Sequence, residues 1–240
     1  MTTREEKMLE EILLYDEYKQ REGFSASQLG RPSLQLRLSK EYPELKMNDL
    51  DKLLSSRIGT AFHKHAEQAL DNRVDLSLEE TLAEEFNGEM ISGTSDVYDG
   101  VANIIYDHKT MQQWKANWIW DRTHEKHQST IDSFKVQMSC LAWLKWKETG
   151  QTVDATKIVV WSVDYKKPYK RKDGTSKPQA PQYFVYEIPH FPPEEFEIWL
   201  ANKLADIYSK EEVQCRGCPD TYVYDYCAYK EVCPVLTKSF

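Results

Sequence analysis

The sequence predicts an α/β fold in which a central mixed β-sheet is flanked by helices and followed by a small cysteine-rich segment. Three observations predict this fold. Helical and strand patterns alternate along the chain as helix, strand pair, helix, strand pair and helix. The 240 residues are 40% hydrophobic and 29% charged, which is typical of a globular domain that buries a core. Four of the five cysteines crowd together between positions 215 and 233.

The first half of the chain predicts two helices and a strand pair. Residues 4–20 carry apolar side chains at helical spacing. Residues 55–71 predict a helix with five apolar side chains on one face: Ile58, Phe62, Ala66, Ala69 and Leu70. Two strands follow at 90–98 and 104–110, joined by turn-forming residues.

The second half predicts a long helix, a second strand pair and a final helix. Strands at 157–165 and 182–188 enclose a basic segment, 166–177. A proline and two glutamates open a helix that runs from 193 to about 209. The long helix spans 130–148, and its apolar side chains recur at helical spacing: Ile131, Phe134, Met138, Leu141 and Leu144.

These elements predict one domain over residues 1–240, with an N-terminal helical part (1–50), an α/β core (51–210) and a cysteine-rich tail (211–240). No stretch approaches the roughly 18 apolar residues that a membrane span needs. The charged N-terminal residues carry no signal peptide, so we expect a cytoplasmic protein without membrane contact. Because the formal net charge is −8, nucleic acid would have to meet a local basic patch or metal ions that offset nearby carboxylates.

The main candidate site is Asp96 followed by Asp107, His108 and Lys109. Asp107 and Lys109 are two residues apart, so a strand points both side chains to one face. Carboxylates hold a hard cation, and a neighbouring ammonium group stabilises charge that builds on a phosphate or orients the attacking water. The combination suits metal-assisted attack on a phosphodiester, whereas Asp-x-Lys by itself is more often a surface ion pair.

The strand pair allows two registers. A tight turn at Asp99-Gly100 would place Asp107 roughly 13 Å along the ladder from Asp96. If Asp96 instead faces Asp107, their Cβ atoms lie about 5 Å apart, and the connection becomes a loop over 100–103. Only the second register lets one metal ion reach both carboxylates, so this is the register that we predict.

Two further signals flank the strand pair. The segment GTAFH, which ends at His63, lies on the predicted helix 55–71, and Gln137 lies on the buried face of 130–148, where its amide needs partners. Taken in order, GTAFH, SGTSD, YDHKT and the Gln137 helix resemble the motif series of the PD-(D/E)XK nuclease superfamily. The resemblance is greatest to its RecB-type branch, which includes the four-cysteine CRISPR-associated nucleases and many phage-encoded relatives. It covers about residues 23–235.

The resemblance implies a restriction-endonuclease-like core and a role for each residue that matches a motif. It makes His63, Asp96 and Asp107 ligands of a magnesium or manganese ion, with the backbone carbonyl of His108 as a further ligand. Lys109 becomes the catalytic lysine.

Two positions depart from the motif series or leave it open. Gln137 falls on the Gln-x-x-x-Tyr motif, which supports the site and contacts DNA, but Leu141 occupies the tyrosine position. The series also includes an acid upstream of the second motif, for which three residues are candidates: Glu84, Glu85 and Glu89.

The tail predicts a second metal centre, formed by four thiolates: Cys215, Cys218, Cys227 and Cys233. A self-contained quartet with a Cys-x-x-Cys pair favours structural zinc. The resemblance favours an iron–sulfur (4Fe–4S) cluster because the Cys-x5-Cys end is kept, although Ser33 stands where such relatives have their first cysteine. We expect Cys140, inside helix 130–148, to pack as a buried thiol without metal.

The resulting hypothesis is a divalent-metal-dependent DNA nuclease, an exonuclease on single-stranded ends that acts in DNA recombination, repair or phage DNA processing. The alternative is a non-catalytic DNA-binding or accessory protein on the same fold, and a third interpretation is a metal-stapled interaction module without nucleic acid. Two weaker features bear on DNA binding. The basic segment 166–177 either follows a DNA backbone or is a solvated hairpin tip. Trp114, Trp118 and Trp120 more often pack than stack on unpaired bases.

Overall fold

The computed structural model describes residues 22–43, 45, 50–167 and 179–209, together with four residues of the tail: 227, 229, 232 and 233. Three sequence predictions fall outside this part of the chain. They are the helix over 4–20, the basic segment from 168 onward, and the positions of Cys215 and Cys218. No helix among the described residues is long and apolar enough to cross a membrane.

Six strands form one sheet. They are β1 Phe24–Ser25, β2 Leu76–Phe86, β3 Glu89–Asp99, β4 Ile104–Met111, β5 Ala155–Ser162 and β6 Tyr183–Ile188. The order is β1-β3-β4-β5-β6, and β2 pairs with β3 beside this path. The β1–β3 and β4–β5 pairs are parallel and the other pairs are antiparallel, so the predicted mixed sheet is confirmed.

Six helices are described around the sheet. They are α1 Ala26–Leu29, α2 Ser33–Glu41, α3 Leu50–Leu70, α4 Gln113–Trp120, α5 His127–Thr149 and α6 Pro193–Tyr208. Helix α5 contacts every strand from β2 to β6 and therefore forms the main helical layer over the sheet. It ends at Gly150, whose left-handed conformation (φ 73°) places its amide 2.7 Å from the carbonyl oxygen of Trp146.

The core lies between α5 and the sheet. All five apolar residues predicted for the buried face of this helix are buried, and Cys140 packs among them as expected. The approach of α5 to β3 is close at Gly93, where a Cβ atom would lie 2.6 Å from Cδ2 of Leu141. Glycine in the SGTSD segment therefore has a packing reason, since a larger residue would push the helix away from the strand that carries Asp96.

The elements that were not predicted from the sequence include strand β1, helix α2 and strand β2. The β2 sequence LSLEETLAEEF is rich in glutamate and leucine, which favour helix by intrinsic propensity. Pairing with β3 overrides that preference, and the turn is Asn87-Gly88, with positive φ at both residues (52° and 80°).

Helix α3 covers the sheet only partly. It begins earlier than the predicted helix, and none of its side chains from 56 to 70 is buried. Ile58, which the sequence places on an apolar face, is 45% exposed. The helix contacts β2 and β4 at the end of the sheet rather than lying across it, so one side of its apolar face stays open to solvent.

Candidate active site

The predicted register of the strand pair is confirmed. Strands β3 and β4 pair Val97 with Tyr106, Tyr98 with Ile105 and Asp99 with Ile104. This register leaves a loop over 100–103 and sets Asp96 across from Asp107. The tight Asp-Gly turn does not form, because the Asp99 carboxylate accepts hydrogen bonds from the loop amides of residues 101 and 102, at 3.0 and 2.9 Å.

The two strands separate where the candidate site begins. Beyond Val97 the backbone pairing stops, and the Asp96 carboxylate itself accepts a short hydrogen bond from the backbone amide of His108. Further along, β3 pairs with β1 at Ile91 and Ser92, while β2 pairs with the other edge of β3 along its whole length. Because a strand has two edges, β1 and β4 share one edge of β3, and the gap between them forms a fork in the sheet.

One cluster of possible metal ligands lies at this fork: His63, Glu79 and Asp96. Each offers one ligand atom, and the three atoms lie within 4.8 Å of one another. His63 Nδ1 is 3.1 Å from Asp96 Oδ1. We call these three residues the open cluster. Among the described residues it is the only group of three or more histidine, cysteine or acidic side chains close enough to share an ion.

The positions of His63 and Glu79 follow from local backbone structure. Gly59 lies one helical turn before His63, where a Cβ atom would be 3.2 Å from Oγ1 of Thr110, so α3 approaches β4 closely. Glu79 has φ 47°, and the β2–β3 register sets it opposite Asp96 without pairing to it. A non-glycine residue in this region costs about 1 kcal/mol, and such strain is typical of functional sites.

A second cluster, which we call the closed cluster, consists of Asp107, Lys109 and Gln137. Lys109 Nζ lies 2.5 Å from Asp107 Oδ2, and Gln137 Nε2 donates a 2.8 Å hydrogen bond to Asp107 Oδ1. Asp107 is only 2% exposed. The amide of Gln137, unexpected on a buried helical face, therefore has its partner in the carboxylate at the centre of the site.

The carboxylates of the two clusters have opposite pKa shifts. Burial opposes ionisation of Asp96, but the hydrogen bond and charge of His63 and the amide of His108 more than offset it and lower its pKa. Burial raises the pKa of Asp107, and the nearby negative charge of Asp96 adds to this, although Lys109 partly offsets both. Burial and Asp96 also raise the pKa of Glu79. The hydrogen bond that His63 donates to Asp96 raises the pKa of His63.

This charge distribution fits a divalent cation. Two of the three carboxylates at the fork have raised pKa values, so the site is short of positive charge. Carboxylate oxygens with one imidazole nitrogen are suitable ligands for manganese, and carboxylates are the usual protein ligands of magnesium. The open cluster supplies this donor set, while both oxygens of Asp107 already contact Lys109 or Gln137.

The side chain of His108 belongs to an aromatic group instead. It is 8% exposed, and its ring lies 6.2 Å from Phe62 and 6.1 Å from Trp161. Burial lowers its pKa, and no described residue forms a hydrogen bond with its Nδ1 atom. His108 thus contributes its backbone amide to Asp96, and the role of its carbonyl as a ligand stays a prediction.

The upstream acid that reaches the site is Glu79, which was not among the three sequence candidates. Glu84 and Glu85 pair with Ile91 and Met90, roughly 16 and 20 Å along the ladder from Asp96. Glu89 contacts Lys40 at 2.8 Å. A signal for Glu79 was present in the sequence: counting back from a two-residue Asn-Gly turn at 87–88 sets residue 79 opposite residue 96.

The tail cysteines can be followed only in part. Cys233 is buried against Leu34 and Leu38 of α2, and Cys227 is half-buried. The other two cysteines of the quartet lie outside the described residues. The predicted four-thiolate centre therefore stays a prediction.

Comparison with known proteins finds solved structures with a similar fold. No family model matches the chain, and no curated protein matches it. The fold is similar to that of the protein SSO0001, which is 20% identical, with 95% of this chain and 93% of that one covered and a TM-score of 0.57. Other matched structures are an alkaline exonuclease from Laribacter hongkongensis (14% identical, 77% and 87% covered, TM-score 0.41) and a phage-related exonuclease from Haemophilus somnus (15%, 83% and 75%, 0.37).

Proposed function

We propose that this chain is a divalent-metal-dependent DNA nuclease of the PD-(D/E)XK type. The observation that carries the proposal is the pairing of two clusters at one fork of the sheet. The open cluster has three ligand atoms within 4.8 Å of one another, and the closed cluster holds an ammonium group 2.5 Å from a buried carboxylate. Metal-assisted hydrolysis of a phosphodiester needs both parts, and the motif resemblance implies the same chemistry.

The open cluster is the proposed holder of the ion. His63, Glu79 and Asp96 would supply the protein ligands for magnesium or manganese, and the predicted ligand role of Asp107 and of the His108 carbonyl adds to them. When bound, the ion would supply Lewis-acid stabilisation of the phosphate and an acidified water. His63 and the amide of His108 both hold the Asp96 carboxylate, so its orientation is fixed before an ion arrives.

The closed cluster is the proposed source of charge stabilisation. Asp107 is buried, whereas the Lys109 side chain is 24% exposed and can reach a substrate phosphate from the fork. Asp107 holds the ammonium group, and Gln137 holds Asp107 from the helical layer. A positioned cation stabilises the negative charge that builds on the phosphate during attack, because it needs no reorganisation at that moment.

Leu141 at the motif's tyrosine position is compatible with catalysis. Its side chain is 2% exposed and packs against Gly93, so this position serves the contact between α5 and β3. The residue of α5 that reaches the carboxylates is Gln137. The non-catalytic alternative therefore gains no support from the missing hydroxyl.

Cleavage assays test the proposal. We expect the full chain to degrade end-labelled single- or double-stranded DNA with Mg²⁺ or Mn²⁺ and to stop when EDTA is added. Asp107→Asn keeps the shape of the buried side chain, so a folded variant should bind DNA without cleaving it. Full activity of a folded Asp107→Asn protein, or cleavage that persists in EDTA, would end the nuclease proposal. DNA binding without cleavage by the wild type under all metal conditions would favour the accessory-protein alternative.

The finer proposal is exonuclease action on single-stranded ends, in recombination, repair or phage DNA processing. Linear and circular single strands of the same sequence separate exonuclease from endonuclease action. We expect only linear DNA to be degraded, and labels at the 5′ and 3′ ends then give the polarity. Equal degradation of the circle would replace exonuclease by endonuclease.

A metal centre in the tail is proposed separately. Residues 214–233 contain few aliphatic side chains, so metal binding would supply folding free energy that burial cannot. Protein purified without oxygen distinguishes the two centres. A brown solution with broad visible absorbance indicates 4Fe–4S, and a colourless one with one zinc per chain indicates a structural zinc site. If the protein holds neither metal and its tail cysteines form disulfides, both the metal centre and the cytoplasmic expectation would be refuted.

A further inference from the structure

Helix α4 directly follows the strand of the closed cluster and forms a cavity with an aromatic lining. The cavity has a volume of about 180 Å³ and is bordered by Trp114, Asn117, Trp118, Trp120, His124 and Gln179, among others. Trp114 and Trp118 meet edge to face at 4.6 Å between ring centroids, and His124 lies 5.7 Å from Trp118. Trp114 packs on Trp118 and Trp120 packs on Phe184, yet the two side chains are 49% and 47% exposed, so part of each ring is open to solvent.

We infer that this cavity is a binding site for one unpaired nucleobase of the DNA strand that enters the candidate active site. The inference rests on the proposed nuclease function and names the part of the substrate that the protein grips. Its supports are the size of the cavity, the chemistry of its lining and its connection to Lys109.

The size suits a single base. A volume of about 180 Å³ is several times what one water molecule needs and is large enough for a small flat ring system. Pockets for drug-sized ligands are larger, about 300 Å³ or more. Aromatic side chains are the usual stacking partners of unpaired bases, since every base has a flat π face.

The lining also offers groups for the edge of a base. Asn117 Oδ1 accepts hydrogen bonds from Gln113 Nε2 at 3.1 Å and from the Ala180 amide at 2.8 Å, and these bonds hold its side chain. Its Nδ2 donates to no residue in the described part of the chain. The amide of Lys126 donates to Nδ1 of His124 at 3.1 Å, so a neutral His124 carries its proton on Nε2 and can donate it.

The charges near the cavity suit the phosphates on either side of such a base. Lys115 lies between Trp114 and Trp118 in the sequence and makes no ion pair with a described residue. Burial lowers the pKa of Lys115, and repulsion from the nearby charge of Lys109 lowers it further. On the other side, Gln179 donates a 2.7 Å hydrogen bond to the carbonyl oxygen of Lys166, the first residue of the basic segment. Asp121 is the acidic side chain at the cavity, and its Oδ1 accepts hydrogen bonds from the backbone amide and the hydroxyl group of Thr123.

A duplex would not fill this site, because paired bases are stacked on their neighbours and are not free to enter a cavity. We therefore expect the site to select a single-stranded end or overhang. It lies on the helix that begins two residues after Met111, the last residue of the strand carrying Lys109, so one nucleotide of the strand would be held beside the site of hydrolysis.

The test uses single-stranded DNA probes in EDTA, each with 2-aminopurine at one position. We expect quenching of its fluorescence at one position only, and loss of that quenching in Trp114→Ala and Trp118→Ala. Affinity should fall by roughly 5- to 150-fold in each variant, which is the range for loss of one stacked base. An abasic nucleotide at the quenched position should weaken wild-type binding similarly and have little further effect on the variants.

Trp199→Ala is the matched control, because Trp199 is also a half-buried helical tryptophan but packs on Phe196 in α6. It should keep both affinity and quenching. If Trp118→Ala does not fold, the more exposed Trp114→Ala decides. Unchanged affinity of folded Trp114→Ala, or quenching that survives it, would overturn the base site even if the protein cleaves DNA. Quenching and its loss in the variants without any cleavage would keep the site and reject the nuclease.

Discussion

The open and closed clusters differ in how the protein treats its carboxylates. In the open cluster, Asp96 faces Glu79, and the side chain in contact with the Asp96 carboxylate is that of His63. In the closed cluster, Asp107 is buried with an ammonium group and an amide as permanent partners. The two aspartates lie opposite each other in one register, yet the pKa of one is lowered and that of the other is raised. The difference teaches that opposite residues at one fork have different surroundings: Asp107 has an ammonium partner, whereas Asp96 belongs to the cluster that would hold the proposed cation.

The largest effect is expected from Asp96→Asn. The substitution removes the carboxylate that joins His63, Glu79 and the amide of His108, so both Mn²⁺ binding and cleavage should be lost. We expect the cleavage rate to fall by about 10³-fold or more, since the substitution removes the function of the whole open cluster. Mn²⁺ binding by calorimetry and the cleavage rate measure the two effects. Unchanged Mn²⁺ affinity would show that the open cluster is not the ion site.

Lys109→Met should separate the two clusters. The variant keeps a side chain of similar length but loses the charge beside Asp107, so cleavage should fall by roughly 10²- to 10³-fold. Mn²⁺ affinity should stay within a few-fold of the wild type, because Lys109 is not a ligand. Single-turnover rates and Mn²⁺ titrations test this. Loss of Mn²⁺ binding together with activity would mean that the clusters are not distinct.

Gln137→Met should have an intermediate effect. It removes the 2.8 Å hydrogen bond to Asp107 while filling a similar volume on the buried face of α5. Groups that position a site residue from behind typically contribute 10- to 100-fold, so we expect cleavage to fall by about that factor. Leu141→Met, on the same helix, is the control for packing, and its cleavage rate should stay near that of the wild type.

The smallest effect is the pH dependence of Mn²⁺ affinity. Binding needs a neutral His63, and the hydrogen bond that His63 donates to Asp96 raises the pKa of His63 above its usual 6.5. Protons should therefore begin to compete with Mn²⁺ for His63 above pH 6.5. As the pH falls, this competition should weaken Mn²⁺ binding by at most about tenfold per pH unit. Calorimetry between pH 8 and 6 measures the change. In His63→Asn the affinity should be lower but nearly independent of pH over this range.

The sequence predicted the parts of this site that depend on local spacing. Asp107 and Lys109 share a face because they are two apart in a strand, and Gln137 faces the core because it follows the helical repeat of its neighbours. The register followed from requiring one ion to reach two carboxylates. The enzyme role of these residues remains a proposal.

What the sequence did not predict depends on contacts between distant segments. Strand β2 is rich in helix-favouring residues and becomes a strand only through its pairing with β3, so Glu79 was overlooked. The exposure of Trp114 and Trp120 depends on where α4 meets residues near 180, which a periodic pattern does not encode. Apolar spacing gave the face of α3 but not its half-exposed position at the end of the sheet.

The Asn87-Gly88 turn has a consequence for the order of folding. The β2–β3 hairpin closes over short sequence separations, whereas β1 meets β3, and β5 meets β4, only across long connections that contain helices. Low contact order favours early formation, so this hairpin and the neighbouring β3–β4 pair, which closes over a four-residue loop, are expected to form first. They bring Glu79 and Asp96 together before Gln137 of helix α5 is in place, and like charges opposite each other in a ladder are destabilising. On the proposed function, a divalent ion present during refolding would relieve this repulsion, so it would act on the rate of folding as well as on the finished site.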